Sequence, residues 1–338
     1  MRYFSRCAQS AGRETMISRN VILELSELTP RDAVGRALAD LGEKYPDLVV
    51  VTADVGEATR AKYFGSRFPD RYINVGISEQ DLIGVATGLA MTGFKVYAVA
   101  FAMFLMRAWE QIRNSVARMG IPVKIIGTHS GFSDAFDGAS HQCLEDIALL
   151  RILPGMTVIV PADAPEIYKA IIASAELKTP CYIRVGRDYC QNLTHLLDYE
   201  FEIGKAVVIE DGTDVAIFTT GATLPIARAA CDLLRERDYR PALVHFHTVS
   251  PLDVHTIEHY ARRTGAIVTV EEHLVRGGFG SAVAEVVSQI YAVPMTMIGA
   301  YGFGRSARSP AELYSYFGIT SENIALRAEE LVRLRKRR

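Results

Sequence analysis

Short β-branched runs alternate with amphipathic helical segments along almost the whole chain, and this alternation limits the possible folds more than any other feature. Leu48–Thr52 is an apolar run of the kind that forms a strand buried on both faces. Ser78 is placed to cap a helix, and Glu79–Met91 then carries apolar residues at helical spacing until Gly93 stops it. Lys95–Phe101 reads as a strand, Leu105–Met119 as a helix and Val123–Gly127 as a strand. A helix at 143–150, a strand at 157–160, a helix at 165–177 and a strand at 181–185 close a first block. A second block repeats the pattern. It has strands near 206–209, 215–219, 242–246, 266–270 and 295–298, with helices at 223–235, 253–262 and 281–290 between them. Such alternation predicts an α/β fold of two doubly wound domains with largely parallel sheets. Residues 191–203 have little periodicity and read as the linker, and residues 1–24 read as an N-terminal extension, flexible in character.

A length of 338 residues fits two domains of ordinary size, and 49% hydrophobic with 22% charged residues is the balance of a globular protein with ample core. A net charge of −2 gives no reason to expect nucleic acid or an anionic membrane as partner. No apolar run reaches the roughly 18 residues of a membrane span. The five cysteines form no CxxC pair, which points to reduced thiols and a cytoplasmic protein. The first twenty residues carry Arg2, Arg6, Arg13 and Arg19 without an apolar stretch that could act as a secretory signal. A flexible extension, a start at Met16 and an organelle-targeting segment all fit them.

Several residues could carry chemistry. Glu79 opens a helix, where the helix dipole alone would stabilise an acid, and Phe101 and Phe104 follow a strand, where aromatics are often core. Asp54 ends the first strand, in a place that also suits a turn cap. Between Thr128 and Gln142 the periodicity lapses into a polar stretch containing His129, Asp137 and His141. It follows a strand, so it falls at the carboxyl edge of the sheet, where open α/β folds bind ligands. A histidine and an aspartate there could equally satisfy each other. Arg31 and Arg187 are lone arginines, for which a solvated surface position is the ordinary reading.

Four motifs in register bear on these alternatives. Residues 71–80 (Arg-Tyr-Ile-Asn-Val-Gly-Ile-Ser-Glu-Gln), 100–104 (Ala-Phe-Ala-Met-Phe), 137–142 (Asp-Gly-Ala-Ser-His-Gln) and 150–156 (Leu-Arg-Ile-Leu-Pro-Gly-Met) resemble the pyrimidine-binding domain of transketolase. The likeness runs from Thr29 to the end of the chain. It implies a pyrimidine-binding domain at 25–190 and a transketolase C-terminal domain at 204–338. It also implies thiamine diphosphate as cofactor, with Glu79 bonded to the ring nitrogen of the aminopyrimidine as activator. Phe104, with Phe101, would form the wall on which that ring stacks, and Asp54 would lie near the cofactor. His141 would face the donor and Asp137 would select a substrate hydroxyl. His129, Arg187 and Arg31 would grip a sugar phosphate, a task that suits the planar guanidinium fork. Where many transketolases have a phosphate-binding serine, this chain has Ala58.

The family's diphosphate motif, Gly-Asp-Gly with a later Asn, is not found. Asp137-Gly138 and Asp211-Gly212 lack the preceding glycine. The resemblance therefore implies the second subunit of a split transketolase in an α2β2 assembly, with no metal ligand on this chain. The partner chain would bind the diphosphate and its Mg2+ or Ca2+. The related alternatives are a 1-deoxyxylulose-5-phosphate synthase-like subunit and the β subunit of a 2-oxo acid dehydrogenase. The non-enzyme alternative is a regulatory or scaffolding subunit. Glu271-Glu272-His273 and Gly277-Gly278-Phe279-Gly280 read as structural or interfacial, although a glycine run before a helix can also bind an anion.

Overall fold

The computed structural model describes residues 19–188 and 190–336. The first sheet contains β1 (Leu48–Thr52), β2 (Tyr72–Asn74), β3 (Lys95–Phe101), β4 (Lys124–Thr128), β5 (Thr157–Ile159) and β6 (Cys181–Arg184). The second contains β7 (Val207–Glu210), β8 (Val215–Thr219), β9 (Pro241–His245), β11 (Ile267–Leu274) and β12 (Met295–Ala300), while β10 (Thr248–Ser250) leaves it to join the first. The strand orders are β10-β5-β6-β4-β3-β1-β2 and β12-β11-β8-β9-β7. All pairings are parallel except β10 with β5 and β7 with β9. Every residue of β1, β4, β6, β8 and β9 is buried, because helices cover both faces. This is the α/β class that the alternation predicts.

Helix Pro30–Lys44 begins at Thr29, whose hydroxyl accepts from Asp32 N at 3.3 Å, with Pro30 in the first turn. Its apolar face, Ala33, Val34, Ala37, Leu38 and Leu41, packs with helix Ala164–Ser174 over the sheet. A second core runs from Val51 and Ile125 in the first sheet through Val158 and Val160 to Phe218 in the second, with Phe246 just past β9 and Phe279 in helix Phe279–Ile290. The crossing strand and this shared core bind the two layers of the chain together. No helix among the described residues is long and apolar enough to cross a membrane.

Some local expectations change. The helix predicted for 105–119 starts earlier and is broken. It comprises Ala102–Leu105, a 3-10 turn at Met106–Ala108, Trp109–Gln111 and a π-helical stretch at Ile112–Ala117. The Trp109 indole donates to Leu149 O at 2.8 Å, a distant anchor that periodicity does not reveal. The helix predicted from Cys143 begins at Asp146, because Cys143 bridges to Ser130 and its carbonyl accepts from Gly131 N at 2.9 Å. Ser78 makes no side-chain cap. Residues 19–25 of the extension form a helix, with Leu25 buried, and the remainder of it lies outside the described residues. Residues 191–203 are tied down as well, since Leu193 N and Thr194 N each donate to Asp163 at 2.7 Å.

Candidate active site

The parallel register brings the strand ends to one edge. Phe101 at the end of β3 lies beside Thr128 at the end of β4, so His129 emerges next to Phe101. Their rings stack with centroids 3.6 Å apart, and Phe101 stacks on Phe104 at 5.0 Å with 17° between the planes. His141 meets Phe104 edge-on at 5.5 Å. The four rings form one row. Phe101 is only partly buried and belongs to that row. Offset stacking is the favoured arrangement for such rings.

Glu79 is the first residue of helix Glu79–Met91, which packs against β3 and against Ala102–Leu105. It is 7% exposed, and no partner for its carboxylate is found among the described residues. Its carboxylate oxygens are not sealed off from solvent, and the positive end of the helix stabilises them. Asp54 is engaged differently. It is exposed, has φ 60°, and exchanges bonds with Asn74: Asp54 N donates to Asn74 Oδ1 at 2.9 Å and Asn74 Nδ2 donates to Asp54 Oδ1 at 3.0 Å. Gly76 N reaches the same Asn74 oxygen at 3.0 Å. Asp54 thereby clamps the turns after β1 and β2.

His129 is buried with φ 57°, and its Nδ1 lies 2.9 Å from Thr128 Oγ1. Burial, followed by the charges of Arg31, Arg187 and His141, lowers its pKa to about 3. Its imidazole is therefore neutral near pH 7 and can lend a hydrogen bond to a phosphate but not a charge. Arg187 Nη1 donates to Asp134 Oδ1 at 2.5 Å and lies 3.4 Å from Asp137 Oδ2. Arg31 is fixed by Ala58 O at 2.7 Å and paired with Asp188. His141 Nδ1 lies 3.0 Å from Ser140 Oγ, and no hydrogen bond to Nε2 is found among the described residues.

Sequence reasoning misses Asp134 and Asp188. Asp134 is 1% exposed, its Oδ2 has no partner among the described residues, and burial holds its pKa above the usual range despite Arg187. Its place three residues before Asp137 in a polar stretch, and the Arg187-Asp188 dipeptide, are the signals that could have found them.

The second sheet's elements hold the polar loop. Gln142 Nε2 donates to Arg305 O at 3.0 Å, Ala307 N donates to Ala135 O at 2.9 Å, and Phe132 stacks on Phe317 at 5.0 Å. Beneath the loop, Arg184 donates to Asp146 at 2.9 Å and to Glu272 O at 2.9 Å, and Phe132 N donates to Glu272 Oε1 at 3.1 Å. Glu271 accepts from Phe279 N at 2.6 Å and Gly280 N at 2.8 Å, so the chain's own carboxylate fills the helix terminus that could have bound an anion. The Glu-Glu-His run is interior to this chain.

Residues 26–191 match the family described as "Transketolase, pyrimidine binding domain", and residues 204–324 match "Transketolase, C-terminal domain". The chain belongs to the transketolase family. It is 41% identical to a Methanocaldococcus jannaschii protein described as "Putative transketolase C-terminal section", over 89% of this chain and 95% of that one. It is 34% identical to one of the subunits of the apulose-4-phosphate transketolase of Phocaeicola vulgatus, over 88% of this chain and 95% of that one. A solved structure described as "Split gene transketolase, inactive beta4 tetramer" superposes with a TM-score of 0.82 at 38% identity, over 91% of this chain and 99% of that one.

Proposed function

We propose that this chain is the pyrimidine-binding subunit of a thiamine diphosphate-dependent transketolase that moves a two-carbon ketol unit from a ketose phosphate to an aldose acceptor. The observation that supports the reading best is Glu79, a largely buried acid with no hydrogen bond among the described residues, at the start of a helix packed against a partly exposed aromatic row. An aminopyrimidine fits both features, since its ring nitrogen needs a carboxyl partner and its face needs a flat apolar wall. Thiamine diphosphate, when bound, supplies the nucleophilic carbon. Glu79 would hold the pyrimidine nitrogen, and Phe101 and Phe104 would seat the ring. His141 would pass protons at the donor hydroxyl through Nε2, a task suited to imidazole. Asp137 would read a substrate hydroxyl. Asp54, bonded to Asn74 at the turns after β1 and β2, would lie near the cofactor. Arg31 and Arg187, with a hydrogen bond from neutral His129, would receive the sugar phosphate.

The diphosphate and its Mg2+ or Ca2+ are assigned to a partner chain in an α2β2 assembly. The solved relative described as an inactive β tetramer supports this division. The test combines the chain with thiamine diphosphate, magnesium and candidate ketoses, with and without a diphosphate-binding partner. Full turnover by the chain alone would overturn the split site, and carboligation of pyruvate in place of ketol transfer would favour a synthase. In the assembled enzyme Glu79→Gln removes a charge-assisted bond of roughly 1.5–3 kcal/mol, about a 10- to 150-fold loss in kcat. Unchanged activity would make the chain a scaffold.

A further inference from the structure

Asp188 occupies the centre of the arginine cluster that the ketol-transfer reading assigns to phosphate. Its Oδ1 is bonded to Arg31 Nη2, and its Oδ2 lies 3.2 Å from Arg187 Nε. Arg60, itself bonded to Asp32 Oδ1 at 2.9 Å, also feels the Asp188 charge. The arginines are anchored from behind, Arg31 by Ala58 O and Arg187 by Asp134. The Arg31 side chain is 10% exposed and that of Asp188 is 49% exposed, so the carboxylate lies on the solvent side of the guanidinium groups. One oxygen is thus bonded to Arg31 and the other pairs in charge with Arg187, whose Nε has no hydrogen bond among the described residues, so a single anion lies between two guanidinium groups, as a phosphate would. Arg31 and Arg187 together face three carboxylates, Asp134, Asp137 and Asp188, with a neutral histidine beside them. An arriving dianion meets arginines that are already neutralised.

We propose that Asp188 is a specificity-determining residue. It holds the anion position of the Arg31–Arg187 cluster, competes with a substrate phosphate and shifts selectivity toward sugars whose far end carries uncharged hydroxyls. Carboxylates accept hydrogen bonds from such hydroxyls and repel phosphate. The inference rests on the phosphate grip of the ketol-transfer reading, so its test has one arm that needs no turnover.

In the first arm, inorganic phosphate is titrated into the full chain and into its Asp188→Asn and Asp188→Glu variants, with binding read by calorimetry and thermal shift. Asp188→Asn, which keeps the side-chain shape, is expected to bind phosphate about tenfold more tightly. Asp188→Glu, which keeps the charge, stays close to wild type. In the second arm, the assembled enzyme is assayed with a phosphorylated acceptor and its dephosphorylated counterpart. Asp188→Asn is expected to raise the ratio of the two kcat/KM values about tenfold in favour of phosphate, through KM with kcat little changed. An unchanged or lowered ratio together with unchanged phosphate binding refutes the proposal, because Asp188 would then be orienting the arginines for phosphate or standing idle. Tighter phosphate binding by Asp188→Asn without ketol transfer by the wild type would sink the activity reading and leave this one standing.

Discussion

Replacing Arg184 by methionine should destabilise the protein more than almost any other single change outside the apolar core. Arg184 ends β6 and is 4% exposed, Asp146 is wholly buried, and Glu272 in β11 is 4% exposed. Its guanidinium donates to both Asp146 oxygens at 3.2 and 2.9 Å, to Cys143 O at 3.2 Å and to Glu272 O at 2.9 Å, and it lies 3.3 Å from Glu272 Oε2. Methionine fills comparable volume but leaves two carboxylates buried beside each other without a cation. Breaking a buried pair in this way costs about 3–5 kcal/mol. At 2–4 °C per kcal/mol for domains of this size, the melting temperature falls by roughly 6–20 °C. Calorimetry and urea unfolding measure it. The compensating variant Arg184→Met with Asp146→Asn and Glu272→Gln removes the uncompensated charge. It should recover much of the loss, because Tyr182 and Tyr314 still donate to those side chains at 2.7 Å. A single-variant loss below about 1 kcal/mol, within the range of an exposed ion pair, would refute the reasoning.

Two further outcomes follow from buried groups. Burial lowers the pKa of His129 to about 3 and of His247 and His273 to about 4, so each stays neutral in the folded chain while the unfolded chain takes a proton near 6.5. Stability is then full above pH 6.5 and falls as the pH drops, by roughly 1.4 kcal/mol per unit for each histidine. Glu271 opposes this between about pH 7 and 4.5, because burial raises its pKa to about 7 and the folded chain keeps a proton that the unfolded chain releases. The net is on the order of 2–3 kcal/mol per unit between pH 6 and 5. A melting temperature that held steady or rose from pH 7 to 5 would contradict it. Gly131→Ala should cost about 2 kcal/mol or more, since Gly131 has φ +62° and an added Cβ would fall 2.1 Å from Glu272 Oε2. Because Gly131 lies at the start of the polar loop, kcat of the assembled enzyme should fall as well. Wild-type stability and turnover would mean that this corner yields.

The parts of the fold legible in the sequence are those whose cause is local. β1 and β6 are short apolar runs because helices cover both faces of the sheet, and a doubly buried strand has no need to alternate. β2 and β10 are three residues each, too short for any period, and β10 finds its partner in the other sheet. The breaks in the helix after β3 escape the sequence for the same kind of reason. Its indole anchor on Leu149 is 40 residues away, and spacing within the segment contains no trace of it.

The site divides along the same line. Phe101, His129 and Arg187 can be placed from sequence because each follows a strand of one parallel sheet, whose register delivers them to one edge. What those groups do to each other is hidden there. The hydrogen-bonded aspartate lies 53 positions away for Arg187 and 157 for Arg31, although Asp188 also pairs with its sequence neighbour Arg187, and a lone arginine in a sequence looks the same whether its charge is free or paired. The distinction decides the chemistry. Two unpaired guanidinium groups would make an open anion site, whereas here Arg187 is bonded to Asp134 and Arg31 to Asp188, so both charges are already paired. Glu79 is the reverse case. Its neighbours in sequence offer only a helix start, and the fold adds that the residue is 7% exposed with no hydrogen bond to its carboxylate among the described residues. Both arginines have their charge paired by an aspartate while the glutamate has no hydrogen bond among the described residues, and neither fact can be read from spacing along the chain.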